Sequence, residues 1–159
     1  MTTPFVDSRG RRGRGMALLI LVACSGAAVS RHVAAEWLEF RGPLGRGIAA
    51  EQPIRNTWSE QEGIAWKVDL PGRGASSPIV VGDLVVVTAS SGAKQDKLHI
   101  IAFDKQSGRE RWQRTFWAAG RTLCHPTSAV AAGTPASDGT RIVALFSSCD
   151  LFAVDLDGR

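Results

Sequence analysis

Cysteine is scarce in this chain and poorly placed for cysteine chemistry. Only Cys24, Cys124 and Cys149 occur, no two of them adjacent, and there is neither a C-x-x-C pair nor a C-x-x-C-H haem attachment run. Histidine is equally sparse. His32, His99 and His125 form no pair with metal-ligand spacing. Ser76-Ser77 lacks the G-x-S-x-G frame of a nucleophile elbow, and Thr88 and Ser90 have no partner His nearby in sequence. Gly45-Arg-Gly47 follows no strand and precedes no Lys-Ser/Thr, which excludes a phosphate loop. After residue 35 there is no amphipathic helical pattern of useful length.

A basic body is missing too. The chain has 159 residues, 19 Lys and Arg against 15 Asp and Glu, and a net charge of +4. Residues 1–35 carry that whole excess, through Arg9, Arg11, Arg12, Arg14 and Arg31 against Asp7. The remainder is balanced, so its Trp and Phe residues sit on no basic face and nucleic-acid binding is not expected. Apolar residues make up 44% and charged residues 21% of the chain, a globular composition rather than a disordered one.

What the first 35 residues do have is the pattern of an export signal. Arg9 to Arg14 form a positive n-region, and Met16-Ala-Leu-Leu-Ile-Leu-Val-Ala23 is an apolar run that Ser25 and Gly26 end. It is far shorter than the roughly 20 residues of a spanning helix. Two cleavage readings stand open. Leu21-Val-Ala-Cys24 is similar to a bacterial lipobox, making Cys24 a lipidation candidate, and Val33-Ala-Ala35 before Glu36 is similar to an ordinary signal-peptidase site. Either way the protein is expected to be exported, to the periplasm, outer membrane or extracellular space. It would meet a membrane only through the signal peptide or a lipid anchor. That compartment is oxidising, and pairing of Cys124 with Cys149 stays open, with two isolated thiols the simpler reading.

Residues 36–62 have no clear period and read as an irregular lead-in punctuated by Gly42, Pro43, Gly45 and Gly47. From residue 63 the pattern is strands and turns. Strands are expected at Ala65–Leu70, Pro78–Val81, Leu84–Ala89, Leu98–Phe103 and Glu110–Phe116, with Ser90–Lys97 a polar loop. Leu84-Val-Val-Val-Thr-Ala89 does not alternate, as expected of a strand covered on both faces. The pattern then returns. Ser77-Pro78 reappears as Thr134-Pro135, Gly82-Asp83 as Asp138-Gly139, and Leu84–Ala89 as Arg141–Phe146. Ala102-Phe-Asp104 with Gly108-Arg109 reappears as Ala153-Val-Asp155 with Gly158-Arg159. A period of roughly 50–57 residues filled with four short strands is a propeller-blade signature. Trp66 matches Trp112, so the first strand counts as an orphan outer strand. The expected fold class is all-β: a partial β-propeller of four-stranded antiparallel blades, about two blades plus that orphan strand. This falls short of the four to eight blades of a typical propeller, and is read as the N-terminal part of a longer product.

The blade motif is Ala102-Phe-Asp-Lys-Gln-Ser-Gly-Arg-Glu-Arg-Trp112. Ala102 suits close packing of sheets, and Asp104, followed by Ser107 in the motif, can accept backbone N–H bonds from the turn it opens, an Asx-turn. Gly108 tolerates positive φ, and Trp112 brings a large ring to bury between blades. These residues, with Trp66 and the shorter second copy Ala153, Asp155 and Gly158, resemble the tryptophan-docking repeat of the pyrroloquinoline-quinone (PQQ)-like β-propeller family. The resemblance covers residues 64–159, and Glu36-Trp-Leu-Glu-Phe-Arg-Gly-Pro43 is similar to the mature start of secreted bacterial members. It implies two kinds of function. One is a non-catalytic protein–protein scaffold with partners in the cell envelope, like the lipoprotein of the outer-membrane barrel-assembly machinery. The other is a quinoprotein dehydrogenase holding PQQ and Ca²⁺, whose members stack the cofactor on adjacent cysteines; such a pair is absent here. The scaffold is the expected function, with no cofactor evident. Its candidate surface is the blade-linking loop Phe116–Thr134, with Trp117, Arg121 and His125 as the side chains of interest.

Overall fold

The computed structural model describes residues 36–49 and 56–159. Cys24, the export signal and both cleavage readings lie outside the described residues.

Seven strands form two antiparallel sheets. The first sheet runs in the order β1 (Ile79–Val81), β2 (Leu84–Ser91), β3 (Lys97–Asp104), β4 (Glu110–Trp117). The second runs β5 (Ala136–Ser137), β6 (Arg141–Leu145), β7 (Leu151–Asp155). Each sheet is a meander, with neighbours in sequence also neighbours in space, because turn residues separate the apolar runs by only a few positions. The fold is all-β and no closed barrel forms. The two copies also share their registers. Val86 pairs with Ala102 and Ile79 in the first sheet, and Val143 pairs with Ala153 and Ala136 in the second.

The core lies between the sheets. Ile79, Val81, Val86, Leu98, Ile100 and Ala102 from the first meet Ile142, Ala144, Phe146 and Val154 from the second. The large apolar members each contribute about 1.5–3 kcal/mol by leaving water. Phe116 of β4 stacks on Phe152 of β7 with ring centroids 3.9 Å apart. The other face of the first sheet carries a smaller cluster of Ala89, Ile101 and Phe103, covered by Trp66. β2 is thus buried on alternate faces along most of its length, as its unbroken apolar run requires.

Three local readings change. The polar loop expected over Ser90–Lys97 narrows to residues 92–96, since Ser90 and Ser91 extend β2 and Lys97 opens β3. Ser90 stays in the ladder because both its edges are paired, with Leu98 on one side and Arg73 on the other. Trp117 ends β4 opposite Lys97 and is not part of the loop that follows. Ala65–Leu70, expected as a strand, forms no ladder among the described residues.

The lead-in is less irregular than its sequence. Trp37 exchanges both backbone hydrogen bonds with Val80 at 2.9 Å, and the Leu38 carbonyl accepts from the Ser137 N–H at 2.8 Å. Two adjacent residues thereby tie together the inner strands of both sheets, and Leu38 packs on the shared core.

Candidate functional site

The repeat motif builds the same joint twice. The Asp104 carboxylate accepts from the Ser107 N–H (2.9 Å), the Ser107 hydroxyl (2.8 Å) and the Gln106 N–H (3.2 Å). Those bonds fix the turn after β3, and they hold the Asp104 pKa below its ordinary value, the Ser107 N–H foremost. The turn brings Gly108 to φ +69. A Cβ there would lie 2.5 Å from the Trp66 ring, so glycine is required both for the backbone and for the ring seated on it. Trp66 Nε1 donates to the Lys105 carbonyl at 2.9 Å. In the second copy Asp155 accepts from the Asp157 and Arg159 N–H groups, and its pKa is likewise lowered, by the Arg159 N–H first. Gly158 takes φ +77, Trp112 lies on it, and Trp112 Nε1 donates to the Leu156 carbonyl at 2.8 Å. Arg114 Nε adds a bond to the Gly158 carbonyl. Each Trp therefore docks on the turn of the blade that follows it. Ala102 is fully buried between the sheets, whereas Ala153 is exposed.

The loops at 92–96, 118–135 and 146–150 leave the sheets from one end, opposite these turns, because β2, β4 and β6 all finish there. A polar network holds the long loop down. The Ser90 hydroxyl donates to Gln95 Oε1 (2.9 Å) and accepts from the Ala131 N–H, and Gln95 Oε1 also accepts from the Val130 N–H at 3.1 Å. The Thr88 hydroxyl meets Ser76 Oγ at 2.8 Å and the Gly133 carbonyl, and the Thr134 hydroxyl accepts from the Ser77 N–H at 3.0 Å. Arg73 reaches the Pro126 carbonyl. At the far end Asp150 binds the Ser148 hydroxyl at 2.6 Å and the Ala119 N–H at 3.1 Å; these bonds, Ser148 first, lower its pKa. Buried polar groups so paired fix one loop conformation.

The loop and the end of β4 before it display apolar side chains. Leu123 is 76% exposed and Trp117 66% exposed, with Lys97 Nζ 5.3 Å from the Trp117 ring centroid. Lys94, Gln95, Arg121, Leu123 and Cys124 line an open cleft of about 430 Å³. Of the three expected side chains, Arg121 lines this cleft, Trp117 stands at the end of β4 beside Lys97, and His125 is exposed and bonds locally to the Thr127 hydroxyl at 2.8 Å. Leu123 and Gln95 were not picked out by the sequence. A lone Leu among small residues was the only signal for the first, and none existed for the second.

His99 was read as a strand residue, and it has more partners than that. It is 4% exposed, with Nε2 2.7 Å from Ser91 Oγ and Nδ1 3.0 Å from Thr115 Oγ1. Burial, then the charge of Lys97, lowers its pKa. Among the described residues no carboxylate joins the group, and His99 sits in a hydrogen-bonded strand cluster with Ser91, Thr115 and Gln113. Among the described residues no three His, Cys, Asp or Glu side chains are placed to hold a metal ion. Cys124 and Cys149 are free thiols on separate loops.

No curated protein matches the chain. Residues 57–159 do match a family, over the segment that carries both sheets and both tryptophan joints. The chain belongs to that PQQ-type β-propeller repeat family, described as outer membrane protein assembly factor BamB.

Proposed function

We propose that this protein works outside the cytoplasm as a non-catalytic scaffold, contacting other cell-envelope proteins through the rim around Trp117, Arg121 and Leu123. One observation carries the reading: Trp117 at the end of β4 and Leu123 on the loop beyond it stand in solvent, and hydrogen bonds from Ser90 and Gln95 hold the base of that loop. An exposed Trp on a pre-ordered base offers contact area with little ordering cost, the usual make-up of an interaction hot spot. The family description, outer membrane protein assembly factor, supports the same kind of role. The basic, apolar N-terminal segment supports export. Among the described residues no helix is long and apolar enough to cross a membrane.

Site-specific photocrosslinking in the envelope fraction tests this. A photoreactive residue at Trp117 or Leu123 should give discrete protein adducts, and one at Arg109, at the opposite end of the sheets, should not. Equal labelling at all three positions overturns the rim assignment. Substrate-dependent dye reduction after adding PQQ and Ca²⁺ to the full chain overturns the non-catalytic assignment.

A further inference from the structure

The cleft at the loop end of the first sheet is lined from two segments, residues 93–95 and residues 121–124, and those segments are bonded to each other. Gln95 makes the link. Its Oε1 accepts from the Val130 N–H at 3.1 Å, and its Nε2 donates to Cys124 Sγ at 3.5 Å. Beside it the Asp96 carbonyl accepts from the Ala118 N–H at 2.8 Å. Two loops tied at three points hold the cleft in one shape before anything enters it, which lowers the ordering cost of binding.

The charge in this cleft has no counterpart. Lys94 and Arg121 are exposed, and neither side chain has a hydrogen-bond or ion-pair partner among the described residues. Lys105, Arg111 and Arg159 differ, being paired with Asp83, Asp104 and Asp155. No carboxylate lines the cleft. Asp96 Oδ1 lies beside Gly92, 2.8 Å from where a Cβ would stand there. The Asp150 carboxylate, which reaches the same long loop, is held by the Ser148 hydroxyl and the Ala119 N–H. Leu123 stands in solvent between Thr122 and Cys124 of the same lining.

We propose that the cleft binds an extended segment of a partner protein in which a carboxylate side chain neighbours an aliphatic one. This names the partner chemistry for the rim of the proposed function and rests on that reading. The Arg121 guanidinium offers a planar fork to the carboxylate, and Lys94 adds a point charge. Leu123 covers the aliphatic neighbour. A free inorganic anion would satisfy the cations and leave Leu123 in water, whereas a peptide segment brings both groups at once. Charges this exposed set orientation and association rate more than affinity.

Cys124 lines the cleft and Cys149 does not, so the two thiols report its occupancy. The purified full chain is alkylated with iodoacetamide, and each cysteine is read by mass spectrometry. Capped Ala-Leu-Glu-Glu-Leu-Ala at about ten times its Kd should slow alkylation of Cys124 about tenfold and leave Cys149 unchanged. The same peptide with both Glu replaced by Gln should protect neither. Lys94→Gln with Arg121→Gln should weaken the acidic peptide about tenfold, the sum of two exposed charge pairs. Both side chains are exposed and unpaired, so the fold is retained. Equal protection by the Glu and Gln peptides overturns the proposal. So does equal protection by inorganic phosphate or by phosphatidylglycerol vesicles. Photoadducts at Leu123 that survive the double substitution, without protection of Cys124 by peptide, overturn this proposal and leave the scaffold reading standing. Absence of adducts at both Trp117 and Leu123 overturns the scaffold reading, and Glu-dependent protection of Cys124 still supports the cleft chemistry.

Discussion

Val86, Thr88, Ile100 and Ala102 in the first sheet hold the positions that Val143, Leu145, Leu151 and Ala153 hold in the second. The first set is buried to 2% or less, and the second set is exposed. Strand register is alike in the two copies, so the difference is set by what lies against each face. A blade of this repeat is not a self-sufficient unit. It forms its ladder alone but gets its dry interior from the next blade, as in other repeat architectures. Residue types follow the same logic: Leu145 and Leu151 are large apolar residues, kept where a neighbour would bury them.

The sharpest way to break that contrast is to place a charge at both positions. Val86→Asp should cost more than about 3 kcal/mol, because the carboxylate enters a dry interface without a partner. Val143→Asp should cost less than about 0.5 kcal/mol. Urea unfolding measures both, and equal costs would show that the two faces are not distinct. Next in size are the tryptophan joints. Trp112→Ala should lose about 3 kcal/mol, since its ring links the two sheets, and Trp66→Ala about 2 kcal/mol, since only one sheet lies against it. A larger loss at Trp66 would reverse the ranking. Gly108→Ala should then cost about 2 kcal/mol, from left-handed strain plus displacement of Trp66, with a red shift in Trp fluorescence. Gly82→Ala, at φ +55 with nothing near its added methyl, should cost about 1 kcal/mol and leave the fluorescence unchanged.

The smallest expected effect is on pH dependence. Asp138 is held down to about 2, first by the Arg141 N–H and then by Thr140. A lowered carboxylate pKa contributes stability that is complete above the unfolded value of 3.8 and is lost as pH falls toward 2. His99 acts in the same direction at higher pH. Its neutral form is favoured by burial, so its contribution is complete above 6.5 and declines as pH falls below that value. Asp138→Asn should flatten the acid limb of a thermal-melt series and His99→Gln the limb just below 6.5. Unchanged limbs would remove these groups as the cause.

The strands and the tryptophan joints were legible because they are written locally. An apolar run, a Gly-Asp turn and an A-x-D-x-x-S-G-x-x-x-W motif each specify geometry within a few residues, and their recurrence located both sheets. The strand boundary at Ser90 was not legible, because a serine there reads as loop until Arg73 and Leu98 are seen on either side. Trp37 and Leu38 were taken as irregular because their partners, Val80 and Ser137, are far away in sequence. The rim was half legible. Trp117 and Arg121 stood out as residue types, but the clamp under them comes from Ser90 and Gln95, whose role exists only once Val130 and Ala131 have been brought over them.

The backbone tie from Trp37 and Leu38 also sets an order of events during synthesis. This segment emerges before either of its partners. The Trp37 amide is satisfied once β1 is made, but the Leu38 carbonyl has to wait for Ser137, after the whole first sheet and the long loop. A link of such high contact order closes late. Until that bond forms, the inner edge of the second sheet stays open to other extended chains.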